Sequence, residues 1–284
     1  MVSDPFSQRR PPTPPIGLPE AFLDTPVFID SHVALLDEPG VRDLLASDTM
    51  PLPAPLDREL YYGDRHLEYW LSGLSDWRRL AALMAGAAGP RRYLDLGGSS
   101  GRVARHAARD GGVECWLADL QINPIDWLHR HSTWPIRAFQ CGAQPHLPLE
   151  DNSFCLLSAF SVFTHIDAGE MGWLLEARRV LAPGGLLLAT IVDEHGWKLL
   201  GLPEWTWLRD GMAQGPDADA FLARVGQPMG AERLVFRSST LDTYNCNLVH
   251  AQTHIRRAWG QHFRIESYLP GAHLHQTVVV MRKV

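Results

Sequence analysis

At 284 residues, with 45% hydrophobic and 20% charged residues, the chain has material for one large α/β domain, alone or with additions. A formal net charge of −6, without any Lys/Arg-rich run, disfavours a nucleic-acid groove. The polar start MVSDPFSQRR has no apolar segment of signal-peptide type, and the longest apolar run, Leu186 to Val192, is far too short to span a bilayer.

Residues 1 to about 20 are Pro-rich (Arg9-Arg10-Pro11-Pro12-Thr13-Pro14-Pro15), and the segment to residue 60 is expected to be partly extended. Between 61 and 90, helical pattern is predicted in Leu67–Leu71 and again in Trp77–Ala88, with a stop at Gly89-Pro90. The stretch Tyr61-Tyr62-Gly63-Asp64-Arg65-His66-Leu67-Glu68-Tyr69-Trp70 concentrates aromatics and a histidine. An amphipathic helix packed on the core explains it as well as the wall of a substrate pocket formed by Tyr61, Tyr62, His66 and Tyr69.

The next stretch organises the chain: Tyr93-Leu94-Asp95-Leu96-Gly97-Gly98-Ser99-Ser100-Gly101-Arg102, followed at once by an Ala-rich helical pattern. Strand, glycine turn and helix together bring backbone N–H groups close to a ligand. A dinucleotide fingerprint fails in both registers, because Ser99 and Arg102, or Ser100 and Val103, stand where glycines are needed. No Gly-Lys-Ser/Thr closes the turn, so a phosphate loop fails too. The acid two residues before Gly97 suits a ligand with a cationic end.

Val113–Asp119 reads as a second strand ending in an acid, placed to accept hydrogen bonds from ribose hydroxyls. Asn123, near the next helix start, is a weaker candidate for the same contact, and as a helix N-cap it would need no ligand. A strand at Ile136–Gln140 leads into the loop Cys141-Gly142-Ala143-Gln144-Pro145-His146-Leu147-Pro148-Leu149, and Phe154–Phe160 is a buried parallel-type strand. The loop Ser161-Val162-Phe163-Thr164-His165-Ile166-Asp167 then lies at the carboxyl end of that strand, where open α/β sheets bind ligands. Asp167 with Glu170 reads as a helix start, and that helix is expected to stop at Pro183-Gly184-Gly185 before another strand. Asp193-Glu194-His195-Gly196-Trp197 closes that strand at the ligand end.

Residues 196–253 lack βα alternation and are read as an insertion or cap over the pocket, with Trp197, Trp205, Trp207 and Tyr244-Asn245-Cys246-Asn247. The helix His254–Trp259 returns the chain to the sheet, and Phe263–Leu269 and Gln276–Arg282 form the last two strands, joined through Pro270-Gly271. The four cysteines, Cys115, Cys141, Cys155 and Cys246, have no C-x-x-C spacing; Cys115 and Cys155 sit in strand-like runs and read as small buried hydrophobes, and a reducing cytoplasm is expected. His250, His254, His273 and His275 have no metal-ligand spacing, so no metal is expected.

Three segments, Asp95-Leu96-Gly97-Gly98-Ser99-Ser100-Gly101, Ser161-Val162-Phe163-Thr164-His165-Ile166 and Arg179-Val180-Leu181-Ala182-Pro183-Gly184-Gly185, resemble motifs of the class I S-adenosylmethionine (SAM)-dependent methyltransferases. The resemblance covers residues 91–195 and, more thinly, 254–284. It implies a Rossmann-like, seven-stranded, mostly parallel sheet with helices on both faces and an antiparallel last strand. It also implies SAM as cofactor and S-adenosylhomocysteine as product. Asp95, Gly97, Gly98, Ser99 and Gly101 would surround the methionine part, Asp119 and Leu120 the ribose, and Gly142 and Ala143 the adenine, with Ser161 nearby. Ser99 departs from the family's common glycine, and Ala143 stands where the family often has an acid.

The chemistry expected is methyl transfer to a small-molecule, sugar or peptide acceptor, with oxygen ahead of nitrogen. His165 is the first candidate base and His195 the second, because imidazole titrates near neutrality. Phe163 and Trp197 join the tyrosines as expected acceptor contacts. An NAD-dependent oxidoreductase shares the logic of Asp119 but lacks the glycine fingerprint. A SAM-fold protein that binds without turnover is the third reading.

Overall fold

The computed structural model describes residues 8–11, 13–17, 23–238 and 246–284. Tyr244 and Asn245, part of the expected cap, lie outside the described residues. One compact unit comprises residues within Met1–Gly86 and Arg91–Cys141, the other Ala87–Pro90 and Gly142–Val284. The first unit holds helices α1 (Asp30–Leu35), α2 (Val41–Ala46) and α3 (His66–Met84), strand β1 (Arg92–Leu96), α4 (Ala104–Asp110), β2 (Glu114–Asp119), α5 (Ile122–His131) and β3 (Ile136–Gln140). The second holds β4 (Phe154–Ala159), α6 (Glu170–Val180), β5 (Leu181–Ile191), α7 (Glu194–Leu200), α8 (Thr206–Met212) and α9 (Ala218–Arg224). It continues through β6 (Arg233–Arg237), β7 (Cys246–His250), α10 (Gln252–Ala258), β8 (Arg264–His273) and β9 (Gln276–Arg282).

The strands form a seven-stranded sheet in the order β3-β2-β1-β4-β5-β9-β8 and a separate β6-β7 pair. The β1-β2, β2-β3 and β4-β5 pairings are parallel, and β9 is antiparallel to both β5 and β8. This is the α/β architecture expected from the sequence, including the antiparallel last strand. All of β4 is buried, which explains its unbroken apolar run: both faces are covered, so alternation disappears. Among the described residues no helix is long and apolar enough to cross a membrane. All four cysteines are free and buried.

Four local expectations are corrected. The two helical stretches are one helix, α3, whose mid-helix Gly73 lies so close to the next helix's approach that a Cβ there would stand 2.1 Å from the Arg102 carbonyl oxygen. Helix α6 ends at Val180, and Pro183-Gly184-Gly185 lies inside β5 as an irregularity, with Phe154 opposite Leu181 but Leu156 opposite Leu186. The final hairpin turns at Leu274-His275, not Pro270-Gly271; Leu274 takes the left-handed conformation (φ 57) that reverses the chain. Asp193 does not close β5 but caps α7, its Oδ1 accepting from the His195 and Gly196 amides.

Asn123 is likewise no cap, since it lies inside α5. Its Oδ1 accepts from the Arg10 amide at 2.7 Å and its Nδ2 donates to the Gln8 carbonyl at 3.0 Å. With the Arg9–Asp126 ion pair (3.0 Å) and an Ile16–Leu52 bridge, this fastens the described part of the N-terminal segment to its own unit. In the second unit, Trp197, Leu200, Phe221, Met229, Phe236 and Val249 bury a core of their own, so residues 194–238 and 246–250 pack as a small body around β6 and β7.

Candidate functional site

In the first unit, β1 delivers Asp95 at 2% exposure into the turn, where Gly97, Ser99 and Gly101 have φ of 71°, 48° and 83°. Ser99 therefore holds the left-handed conformation for which glycine is the usual choice. A Cβ on Gly98 would lie 2.7 Å from Leu117 Cδ1 and 2.8 Å from Asp95 Oδ2, so only glycine fits there. Asp119 at the end of β2 holds the turn from the side: its Oδ2 accepts from the Ser99 amide and its Oδ1 from the Gln121 amide, both at 2.8 Å. Each carboxylate oxygen keeps a second lone pair for a ligand hydroxyl. Burial raises the Asp119 pKa, and the Gln121 and Ser99 amides pull it back down. The Leu120 carbonyl accepts from Gln140 Nε2 at 2.9 Å.

The expected aromatic wall gathers in the same unit. Tyr69 is buried, with its hydroxyl 3.2 Å from Ser100 Oγ, which ties α3 to the glycine turn. The Tyr62 ring meets Tyr61 at 4.7 Å and Tyr69 at 6.3 Å, edge to face in both cases. Arg102, the last residue of the turn, pairs with Asp76 at 2.7 Å and lies 5.7 Å from the Tyr61 ring. His66 Nδ1 is 2.6 Å from Arg58 Nη2, so the imidazole accepts and is neutral, and burial lowers its pKa.

Two groups here escape sequence reasoning. Lost hydration and the charge of Asp119 push Glu59 up to about 7, against the pull of Arg10. Arg58 is buried, with its guanidinium 4.7 Å over the Tyr69 ring. Both precede the quoted aromatic stretch in a segment with no periodicity, so no local pattern marks them.

In the second unit, the loop after β4 is held by the β6-β7 pair. The His165 Nδ1 donates to the Cys246 carbonyl at 2.8 Å, Cys246 Sγ returns a bond to the His165 carbonyl at 3.3 Å, and the Leu248 amide donates to the Thr164 carbonyl at 2.8 Å. A carbonyl can only accept, so the neutral His165 ring carries its proton on Nδ1 and presents a lone pair at Nε2. Lost hydration lowers the His165 pKa, and the Cys246 carbonyl partly opposes this. Ser161 takes φ 56°, with its amide on Thr190 Oγ1 and its hydroxyl 2.8 Å from Gln276 Nε2. Gly142 and Ala143 lie in an irregular loop, fastened to α6 where Glu176 accepts from the Leu147 amide at 2.6 Å.

The remaining expected residues go elsewhere. Phe163 is fully buried against Trp259 at 4.8 Å and belongs to the core. Trp197 is 2% exposed, donates to the Gln227 carbonyl and stacks on Phe236 at 5.8 Å, which places it in the core it shares with Phe221 and Phe236. His195 is exposed at the start of α7, with its ring packed on the Gly271 backbone. Glu170 is no cap: buried, it accepts from His254 Nε2 at 2.8 Å and Trp259 Nε1 at 2.6 Å, and stands 3.0 Å from Arg233 Nε and 3.4 Å from His250 Nε2. Asp167 pairs with Arg233 at 2.6 Å. Among the described residues no His, Cys, Asp and Glu side chains gather in a metal-binding group.

A family profile described as a methyltransferase domain matches residues 94–189. The ubiquinone/menaquinone biosynthesis C-methyltransferase of Cupriavidus necator is 27% identical over 194 residues, covering 58% of this chain and 76% of its own. Among solved structures, the PH0226 protein of Pyrococcus horikoshii matches with a TM-score of 0.51 at 18% identity, over 81% of this chain and 96% of its own. The 1,6-didemethyltoxoflavin-N1-methyltransferase of Burkholderia thailandensis, solved with 1,6-didemethyltoxoflavin and S-adenosylhomocysteine, matches at 0.51 and 14% identity, over 92% and 93% of the two chains. These two structures share the fold.

Proposed function

The chain belongs to the class I SAM-dependent methyltransferases, and from that premise we propose that it methylates an oxygen of a small-molecule, sugar or peptide acceptor with His165 as general base. The observation behind this reading is the Nδ1–H bond from His165 to the Cys246 carbonyl, which leaves Nε2 as a proton acceptor of known orientation.

The glycine turn fits the cofactor: Gly98 leaves a cradle that a Cβ would fill, and Asp119 retains lone pairs beside Ser99. Asp95, Gly97, Gly98, Ser99 and Gly101 would hold its methionine part, and Asp119 with Leu120 its ribose. Gly142, Ala143 and Ser161 keep the roles that the resemblance assigns to them. When bound, SAM supplies an electrophilic methyl carbon on a sulfonium. The chain's own tasks are to align the acceptor with that carbon and to take the acceptor's proton at His165 Nε2 as the new bond forms. His195, exposed and flanked by Gly271, is the reserve base, and the insertion at 196–253 is assigned to cover the acceptor.

The Cupriavidus relative is named a C-methyltransferase, which favours a second acceptor class. A carbon acceptor would ask the same Nε2 lone pair to remove a proton from carbon or from a neighbouring hydroxyl.

Turnover of labelled SAM across oxygen, nitrogen and carbon acceptors tests the reading. His165→Gln is expected to lower turnover at least ~100-fold with S-adenosylhomocysteine binding intact, and normal turnover would remove His165 as base. Asp119→Ala should weaken S-adenosylhomocysteine binding by about 1–3 kcal/mol in calorimetry.

A further inference from the structure

The hairpin that joins β8 to β9 carries a row of rings with no part in the site described so far. Its tip stands at the carboxyl end of β5, because Thr277 pairs with Ile191. Phe160, the residue after β4, meets the His273 ring at 5.2 Å with the planes 38° apart. In the next position, Ser161 accepts from Gln276 Nε2 at 2.8 Å across the turn. His275 meets Trp205 edge to face at 6.1 Å, and Trp205 stacks on Trp207 at 6.2 Å. The rings thus run from the loop after β4 out to Trp207, which is 60% exposed. The tip is braced from behind: a Cβ on Gly196 would stand 2.4 Å from the His275 carbonyl oxygen, and the His195 ring packs on Gly271.

The chemistry of the row narrows its occupant. His275 Nδ1 is buried and has no hydrogen-bond partner among the described residues. Burial first, and the neighbouring His273 second, push the His275 pKa down to about 4, so the ring is neutral near pH 7. Neither influence comes from a carboxylate that would invite a cation, or from an arginine that would invite an anion. A neutral imidazole nitrogen is donor or acceptor according to its tautomer, and a hydroxyl satisfies it in either state. The stacked indoles of Trp205 and Trp207 suit a flat ring, and an exposed aromatic surface of this kind marks a binding site.

We propose that this row receives a neutral, hydroxylated aromatic acceptor, with its ring against Trp205 and Trp207 and a hydroxyl on His275 Nδ1. The inference rests on reading the chain as a methyltransferase whose acceptor meets the loop after β4. It narrows that acceptor from small molecules, sugars and peptides to phenolic rings. A sugar or aliphatic alcohol would leave the indoles without a stacking partner, and a carboxylate would meet an uncharged imidazole. His275 selects and orients the ring in this scheme; it is not the base.

The test is calorimetric titration of the full chain, with S-adenosylhomocysteine present, by 2-naphthol, its saturated counterpart 2-decalol and the anionic 2-naphthoate. Wild-type protein should bind 2-naphthol ~3–10-fold more tightly than either of the others, the scale of one aromatic pair. Trp207→Ala, at an exposed position that folding does not depend on, should lose the preference for 2-naphthol over 2-decalol. His275→Phe keeps a ring in place and should weaken 2-naphthol by ~3–10-fold, the scale of one hydrogen bond, while still preferring it to 2-decalol. Both variants should bind S-adenosylhomocysteine as wild type does. The proposal falls if wild-type protein binds no 2-naphthol, if it binds 2-decalol or 2-naphthoate as tightly, or if both variants bind 2-naphthol unchanged; the rings are then packing alone. If S-adenosylhomocysteine itself does not bind, the methyltransferase reading fails, and the same titrations without it still decide whether the row holds an aromatic ring.

Discussion

Two buried carboxylates, one in each unit, solve the same problem with different partners. Asp48 accepts from Trp70 Nε1 at 2.7 Å, Trp134 Nε1 at 3.0 Å and the Met50 amide, and receives Arg105 through Nε at 3.1 Å and Nη2 at 2.8 Å. Glu170 accepts from Trp259 and His254, with Arg233 and His250 beside it. The side-chain donors around Asp48 keep their protons at any ordinary pH, whereas two of those around Glu170 are imidazoles. Asp48 thus forms a permanent clamp at the foot of α3 and α4. Glu170 forms a clamp that titrates, just behind the loop that presents His165.

Asp48→Asn should have the largest effect on stability. It removes the charge that matches Arg105, and both side chains of the pair are 1% exposed. Breaking one side of a fully buried pair is expected to cost about 3–5 kcal/mol in denaturant unfolding. A loss below ~1 kcal/mol would show that Arg105 does not depend on Asp48, and the clamp would be ordinary packing.

Glu170→Gln should cost less, about 1.5–3 kcal/mol, the range for hydrogen bonds to a charged group. Part of the Glu170 interaction is with Arg233, which is 27% exposed and can turn to water. Binding of S-adenosylhomocysteine should be unchanged. A stability loss as large as that of Asp48→Asn would erase the difference between the two regions.

Neither clamp is legible in the sequence, and the reason is distance along the chain. The glycine turn could be read because its constraints are local: Gly98 is set by Asp95 and Leu117, and Ser99 is tied to Asp119 in the adjoining strand. The sheet could be read because its strands are buried apolar runs separated by turns. Glu170, by contrast, has the spacing of a capping residue after Asp167, but its partners arrive at 233, 250, 254 and 259. Asn123 looked like a cap for the same reason, yet its partners are the backbones of Gln8 and Arg10. Phe163 and Trp197 lie in stretches too short for periodicity to show which way an aromatic ring faces, and both face cores. Arg58 has no pattern at all; only its buried Nε and Nη1, without hydrogen-bond partners among the described residues, single it out in three dimensions.

The smallest expected effect concerns acid. Burial lowers the His250 pKa below its usual 6.5 despite the adjacent Glu170, so the folded protein keeps this ring neutral where the unfolded chain would protonate it. Stability from His250 is therefore fully present above about pH 6.5 and is lost as pH falls below it, at no more than ~1.4 kcal/mol per pH unit. Glu170 adds a second step of the same sign. Its hydrogen bonds and the neighbouring His250 outweigh burial and hold its pKa down to about 2, so its contribution is intact above about 4.5 and fades towards pH 2. The Asp48 region carries one comparable group, His106, which burial and the neighbouring Arg105 also hold below the usual histidine range. Urea unfolding at pH 7.5, 6 and 5 should show stability falling with acid. His250→Gln should flatten that slope without abolishing it, because His106 remains. An unchanged slope would mean that His250 is protonated in the folded protein, with Glu170 as its ion-pair partner. The second clamp would then be as permanently charged as the first.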